Sequence, residues 1–318
     1  MTGSPRRFDR SLVDRALEGQ QRAVAQLISL VEGGSRDLPE IAALLAPHTG
    51  RAQVVGLTGS PGVGKSTMTS ALVSAFRATG ARVGVLAIDP SSPFSGGALL
   101  GDRVRMGEHA VDDGVFIRSM ATRGHLGGLA WATPQALRVL DAAGCDVVLI
   151  ETVGVGQSEV DVVSLADTTL VLLAPGMGDG VQAAKAGILE IADIFVVNKA
   201  DRDGAAHTVR DLRYMMSLGE RRDEWSPPVC KAVAARGEGV DEIVTAIGEH
   251  RGWLESSGEG ARRRRRRAER EIEEIGLAKV RARLEEVRGS TALPVLADQV
   301  VAGETDPYAA ADRLLGSL

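Results

Sequence analysis

The chain has 318 residues with a formal net charge of −5 at neutral pH, enough length for one large domain with appendages and no general reason to expect nucleic acid or an anionic membrane as partner. Aromatic residues make up 3% of it, which argues against stacked-base recognition of single strands, and no apolar run reaches the length of a membrane span. The two cysteines, Cys145 and Cys230, sit in apolar, strand-like settings and read as core thiols of a cytosolic chain. The amphipathic sequence after Arg10 carries the same expectation of a cytoplasmic protein without a secretory leader.

Residues 9–33 have Leu12, Val13, Ala16, Leu17, Ala23, Val24, Leu27, Ile28 and Val31 on one helical face, so the spacing predicts an amphipathic helix stopped at Gly33-Gly34. A short helix follows over 38–46, completing an N-terminal helical extension over residues 1–50. From 51 to 255, strand-like runs at 53–57, 83–88, 115–117, 146–150, 168–173, 194–197 and 229–233 alternate with helical stretches. That alternation predicts an α/β fold with a doubly wound, mostly parallel sheet.

The turn after the first strand is Gly59-Ser60-Pro61-Gly62-Val63-Gly64-Lys65-Ser66-Thr67. It fits G-x-x-x-x-G-K-[ST], and the apolar run before it and the helical spacing after it supply the context of a P-loop NTPase. Glycines let backbone N–H groups turn inward on phosphate oxygens, and the helix N-terminus adds favourable partial charge. Lys65 is then the catalytic cation at the β- and γ-phosphates, and the Ser66 hydroxyl a Mg²⁺ ligand.

The second strand ends in Asp89, a further candidate for the metal. The Gly-, Ser- and Pro-rich stretch after it carries Asp102, either a metal-side carboxylate or a loop carboxylate facing water; spacing does not choose. The fourth strand leads into Glu151-Thr152-Val153-Gly154, a D-x-x-G pattern with glutamate replacing aspartate, so Glu151 joins the catalytic and metal candidates. Gln157 is a candidate for orienting the attacking water, although it stands three residues beyond Gly154.

Asn198-Lys199-Ala200-Asp201 fits the N-K-x-D that reads guanine. A carboxylate at Asp201 accepts from guanine N1 and the 2-amino group, a donor pair adenine lacks. Asn198 bridges loops, and the Lys199 stem lies over the ring. Val233, Ala234 and Ala235 stand where a third base-contacting loop is expected; with no serine there, only backbone contacts are open to it.

From 256 the composition changes. A Ser/Gly linker precedes the unbroken run Arg262 to Arg267, then a charged helix with the sparse stripe Ile272, Ile275, Val280, Leu284 and Val287, and short helices near 292–302 and 307–316. The arginine run taken alone suggests nucleic acid or an acidic membrane; against the overall acidity it reads as a solvated helix start balanced by Glu269, Glu271, Glu273 and Glu274. The stripe needs a partner surface, so residues 256–318 are expected to form a C-terminal helical dimerisation arm.

Together the strings GSPGVGKST, IDPSS, SMATRGHLGGL, ETVGVGQSE, PGMGDGVQAAKAGILEIAD and NKAD resemble the MeaB/ArgK family of P-loop G-proteins, from about residue 9 to the C-terminus. The resemblance implies a homodimer that binds GTP/GDP and Mg²⁺ and hydrolyses GTP slowly alone. It implies stimulation by an adenosylcobalamin-dependent acyl-CoA mutase, methylmalonyl-CoA mutase above all, whose cofactor loading the G-protein gates and which it protects. It assigns Ser66, Asp89, Asp102 and Glu151 to metal and phosphates, and Asp179 and Lys185, in the segment 178–185, to a switch relaying nucleotide state to the mutase. Spacing alone would make Lys185 a solvated helix lysine. The alternative is a nucleotide-dependent kinase or ATPase acting on amino-acid transport binding proteins; the guanine-reading string disfavours it.

Overall fold

Alternate side chains of each strand serve opposite layers, and this builds the domain. A computed structural model of the chain describes residues 9–90, 107–109, 111–122, 132–152, 164–176, 189–218, 225–288 and 292–316. Among these, β1 (Gln53–Thr58), β2 (Val83–Pro90), β3 (Val115–Thr122), β4 (Val147–Thr152), β5 (Thr168–Leu173), β6 (Ile194–Val197) and β7 (Val229–Lys231) form one sheet in the order β3-β2-β4-β1-β5-β6-β7. Every pairing is parallel.

On one face, Val54, Leu86, Ile88, Val148 and Ile150 pack against α1 (Ser11–Leu17), α2 (Gln21–Glu32), α3 (Leu38–Leu45) and α5 (Thr133–Ala142). On the other, Val55, Leu57, Val85, Leu149, Leu170 and Val196 pack against α4 (Lys65–Ala78) and α8 (Val240–Ser256). A smaller cluster joins Val171, Phe195 and Val197 to Val209 and Leu212 of α7 (Ala205–Leu218). The short α6 (Leu189–Ile191) precedes β6. A sheet buried on both faces explains why its strands read as near-continuous apolar runs.

The single helix expected over 9–33 is two. The chain breaks between Leu17 and Gln21, where Gly19 takes φ +79° and lies against the guanidinium of Arg82. A side chain there would be strained by the backbone and would collide with that arginine. The apolar stripe continues across the break because both helices face the same core.

Buried aspartates fasten the amino-terminal edge of the sheet. Asp141 accepts from the backbone N–H groups of Gly50, Arg51 (3.1 Å) and Ala52 (2.9 Å). Asp167 accepts from Val54 N (3.0 Å), and Asp193 from Thr169 N (2.8 Å). Asp193 also lies 3.3 Å from Nε2 of the fully buried His250, whose ring is stacked on Trp253. These carboxylates satisfy donors at or just before the strand starts, and those of Ala52, Val54 and Thr169 would otherwise be buried unpaired. Asp141→Ala is expected to cost about 2–3 kcal/mol in urea denaturation, since bonds to a charged acceptor are lost together. A loss below about 0.5 kcal/mol, the range of an ordinary surface change, would show that the tie is not stabilising.

Cys145 and Cys230 are buried thiols. Burial pushes the Cys145 thiol up to about 12, and raises Cys230 as well, so neither is a nucleophile near neutral pH.

The chain divides into two compact units, one ending at Ala261 and one beginning at Arg262. The expected linker is reduced to a break at Ser257 and Gly258 between α8 and α9 (Glu259–Arg288), a 30-residue helix that contains the arginine run. Within the second unit, α10 (Ala292–Val301) packs on α11 (Pro307–Gly316). Asp306 caps α11 by accepting from Tyr308 N and Ala309 N, which holds its carboxyl below the usual range. Ile272, Ile275, Leu277 and Val280 of α9 are exposed. Among the described residues no helix is long and apolar enough to cross a membrane.

Candidate functional site

The loop between β1 and α4 lies at the carboxyl ends of the central strands, where parallel sheets bind ligands. Two of its glycines are obligatory. Gly59 has φ +139° and faces the carbonyl oxygen of Leu172, where a Cβ would overlap; Gly64 has φ +95°, and a Cβ there would stand 2.5 Å from Asn198 Nδ2. Gly64 is also the N-cap of α4, so the loop's last turn delivers the helix N-terminus to the site. Lys65 is 6% exposed, and its Nζ donates to the carbonyls of Gly59 (2.5 Å) and Ser60 (3.3 Å). A buried ammonium beside a helix N-terminus is an anion site. Ser60, Pro61, Gly62 and Val63 complete the loop, and Thr67 follows Ser66 in the first turn of α4.

Glu151, at the carboxyl end of β4, is 3% exposed and sits in register with Leu57 of β1 and Ala87 of β2. Ser66 Oγ donates to its Oε1 at 2.6 Å, and Thr69 Oγ1 lies 2.9 Å from its Oε2 and 3.1 Å from Lys65 O. Two hydroxyls one turn apart on α4 thus hold the two oxygens of one buried carboxylate, which offsets part of its desolvation. No sequence motif singles out Thr69; its i+3 spacing from Ser66 is the available signal. Ser66 and Glu151 supply the hard oxygen donors that suit Mg²⁺. Asp89 occupies β2 two residues beyond the partner of Glu151, at the same end of the sheet. Asp102, Gln157, Asp179 and Lys185 lie outside the described residues.

Asn198 follows β6 and is 2% exposed. Its Nδ2 donates to Val63 O (2.8 Å) and its Oδ1 accepts from Ala234 N (3.1 Å), so one side chain joins the phosphate loop to the third loop. Lys199 adopts φ 56°, and its Nζ donates to Gly62 O at 2.6 Å. Ala234 and Ala235 begin a 3₁₀ turn after Val233, which bridges to Glu238. The Asp201 carboxylate is half-exposed and 3.5 Å from Arg236, which pairs more closely with Glu238 at 2.9 Å. Nothing in the local sequence of Arg236 signals that pairing. The structure therefore brings Lys65, Ser66, Glu151, Asn198, Lys199 and the 233–235 loop together around α4.

Known proteins share this arrangement of strings and folds. The family model described as "Methylmalonyl Co-A mutase-associated GTPase MeaB" matches residues 24–288. A Pyrococcus horikoshii chain named as a GTPase is 50% identical over 311 residues, covering 96% of each protein. GTPase ArgK of Escherichia coli is 38% identical over 256 residues, 77% of each. The mouse mitochondrial methylmalonic aciduria type A homolog is 37% identical over 83% of this chain and 68% of that protein. A crystal structure of an LAO/AO transport system kinase superposes with a TM-score of 0.69 at 28% identity, over 96% of this chain and 95% of that one.

Proposed function

The chain belongs to the MeaB family of methylmalonyl-CoA mutase-associated GTPases, and from that premise we propose that it is a Mg²⁺-dependent switch whose GTP hydrolysis gates adenosylcobalamin delivery to, and protects, an acyl-CoA mutase. The nucleotide half of this reading is carried by one observation: Asn198 binds Val63 O and Ala234 N at once, so the phosphate loop and base loop form a single unit. The mutase half is supported by the family's description and by a mouse relative named for methylmalonic aciduria.

In this reading Lys65 offsets charge on the transferred phosphoryl group, and the backbone of 59–64 with the α4 N-terminus orients the phosphates. Ser66 and Glu151 would hold Mg²⁺, which supplies charge neutralisation at the phosphate oxygens. Thr69 keeps the Glu151 carboxylate aimed at that position. Asp89, Asp102 and Gln157 remain the proposed further ligands and water-orienting group. Asp179 and Lys185 are the proposed relay to the mutase. The exposed Ile272, Ile275 and Val280 support a homodimer through α9.

GTP turnover measured with and without the cognate cobalamin-dependent mutase tests this. The wild type is expected to accelerate at least about tenfold on adding the mutase, a change of about 1.4 kcal/mol in barrier. Lys185→Ala and Asp179→Ala are expected to keep basal turnover and lose the stimulation. Light scattering on the same preparation is expected to read a dimer at micromolar concentration. No stimulation by any cobalamin mutase of the same cell sinks the chaperone reading, and a monomer sinks the dimer. The similarity to an LAO/AO transport system kinase favours the second reading, phosphoryl transfer to an amino-acid transport binding protein. Labelled phosphate appearing on such a protein instead of in solution would select it.

A further inference from the structure

Beside the phosphate loop a cavity of about 610 Å³ opens between α4 and the amino-terminal end of α8. One part of its wall is Ser66 and Thr67, the phosphate end of α4; another is Ala234 and Ala235, the base loop. In a nucleotide the sugar lies between phosphates and base, so a nucleotide spanning these two groups of residues puts its ribose at this cavity. The lining of the same cavity includes Ser70 and Glu108.

These two side chains are already organised. Ser70 Oγ donates to Glu108 Oε1 at 2.6 Å and lies 3.0 Å from His109 Nε2. With the serine proton given to the carboxylate, the imidazole Nε2–H donates to the serine oxygen, and the chain of bonds ends on Glu108 as an acceptor. Glu108 sits on a short 3₁₀ turn, Gly107–His109, and its side chain is 68% exposed, while His109 is 11% exposed. Thus a fixed serine and histidine hold an accessible carboxylate at the cavity wall. A carboxylate so placed is a natural acceptor for vicinal sugar hydroxyls, the means by which dinucleotide folds recognise an unphosphorylated ribose. The same charge disfavours a nucleotide carrying phosphate on either hydroxyl.

We propose that Glu108, oriented by Ser70 and His109, accepts the ribose hydroxyls of the bound guanine nucleotide and makes the site selective for ribonucleotides with free 2′ and 3′ positions. The proposal rests on the guanine-nucleotide reading of this site. Ser70 and His109 act through Glu108 as positioning residues.

The test is calorimetric titration of the full-length protein with GDP, 2′-deoxy-GDP, 3′-deoxy-GDP and ADP. Wild type is expected to bind GDP about ten- to a hundredfold more tightly than at least one deoxy form, the range for a hydrogen bond to a charged group. Glu108→Ala, at an exposed side chain that does not endanger the fold, is expected to bring that ratio near one while preserving preference for GDP over ADP. Ser70→Ala is expected to reduce the ratio partially, and Ser70→Thr, which keeps the hydroxyl, to restore it. If wild type binds both deoxy forms as tightly as GDP, or Glu108→Ala keeps the wild-type ratio, the ribose assignment is overturned while the guanine reading stands. If wild type prefers ADP or binds neither nucleotide, both are overturned.

Discussion

Lys65→Ala is expected to lower GTP turnover by about two to three orders of magnitude, the cost of removing one preorganised charge at a transferring phosphoryl group. The reason lies in where the ammonium sits. Lys65 is buried, and its Nζ rests on the carbonyls of Gly59 and Ser60 inside the loop. Deleting it removes the positive charge facing the phosphates and leaves two inward carbonyls that repel them. Lys65→Arg is not expected to rescue turnover, because a planar guanidinium does not fit a pocket built around a point charge. Phosphate release under single-turnover conditions reads the effect, with circular dichroism to confirm the fold. Wild-type turnover in Lys65→Ala would show that the loop is not the catalytic cradle.

The second large effect is on base choice. Asp201→Ala is expected to reduce the preference for GTP over ATP by about a hundredfold or more, because two hydrogen bonds to a charged acceptor are lost together. In the structure the carboxylate is half-exposed, with Arg236 at 3.5 Å and that arginine paired more closely with Glu238. Guanine therefore competes against a long, solvent-screened contact, which costs little to break. Asp201→Asn carries the sharper prediction. Its carboxamide offers a donor where xanthine presents a 2-oxo group, so xanthosine nucleotides are expected to gain affinity as guanosine nucleotides lose it. Calorimetric titration with the three nucleotides measures both changes, and equal affinity of the wild type for ATP and GTP would overturn the base assignment.

Much of the nucleotide site is legible in the sequence because its determinants are local. The left-handed backbone at Gly59 and Gly64, the helix that begins at Lys65 and the turn after β6 each depend on a few consecutive residues. Strand runs are legible for a related reason. A parallel strand buried on both faces is apolar along most of its length, so 53–57, 168–173 and 194–197 stand out without knowledge of their neighbours, the polar Gln53, Thr168 and Thr169 falling only at strand starts. The break at Gly19 is hidden from the periodicity because the apolar face stays in phase across it; the left-handed backbone at φ +79° is what requires glycine, and the guanidinium of Arg82, 63 residues away, fills the space beside it.

What tertiary structure alone decided are contacts between residues far apart in sequence. Asp141 reaches Gly50–Ala52, and Asp167 reaches Val54, because the order β4-β1-β5 brings those strand ends together, and no local pattern encodes that order. Thr69 meets Glu151 across 82 positions, Asn198 meets Val63 across 135, and Ser70 meets Glu108 across 38. The sequence by itself determined the backbone turns that hold phosphate and the residue types able to read guanine, since both follow from the conformations and donors of adjacent residues. Which hydroxyl steadies Glu151, which arginine stands by Asp201 and which carboxylate lines the cavity beside α4 follow from sheet order and register, which place these side chains within hydrogen-bonding distance only after the chain has folded.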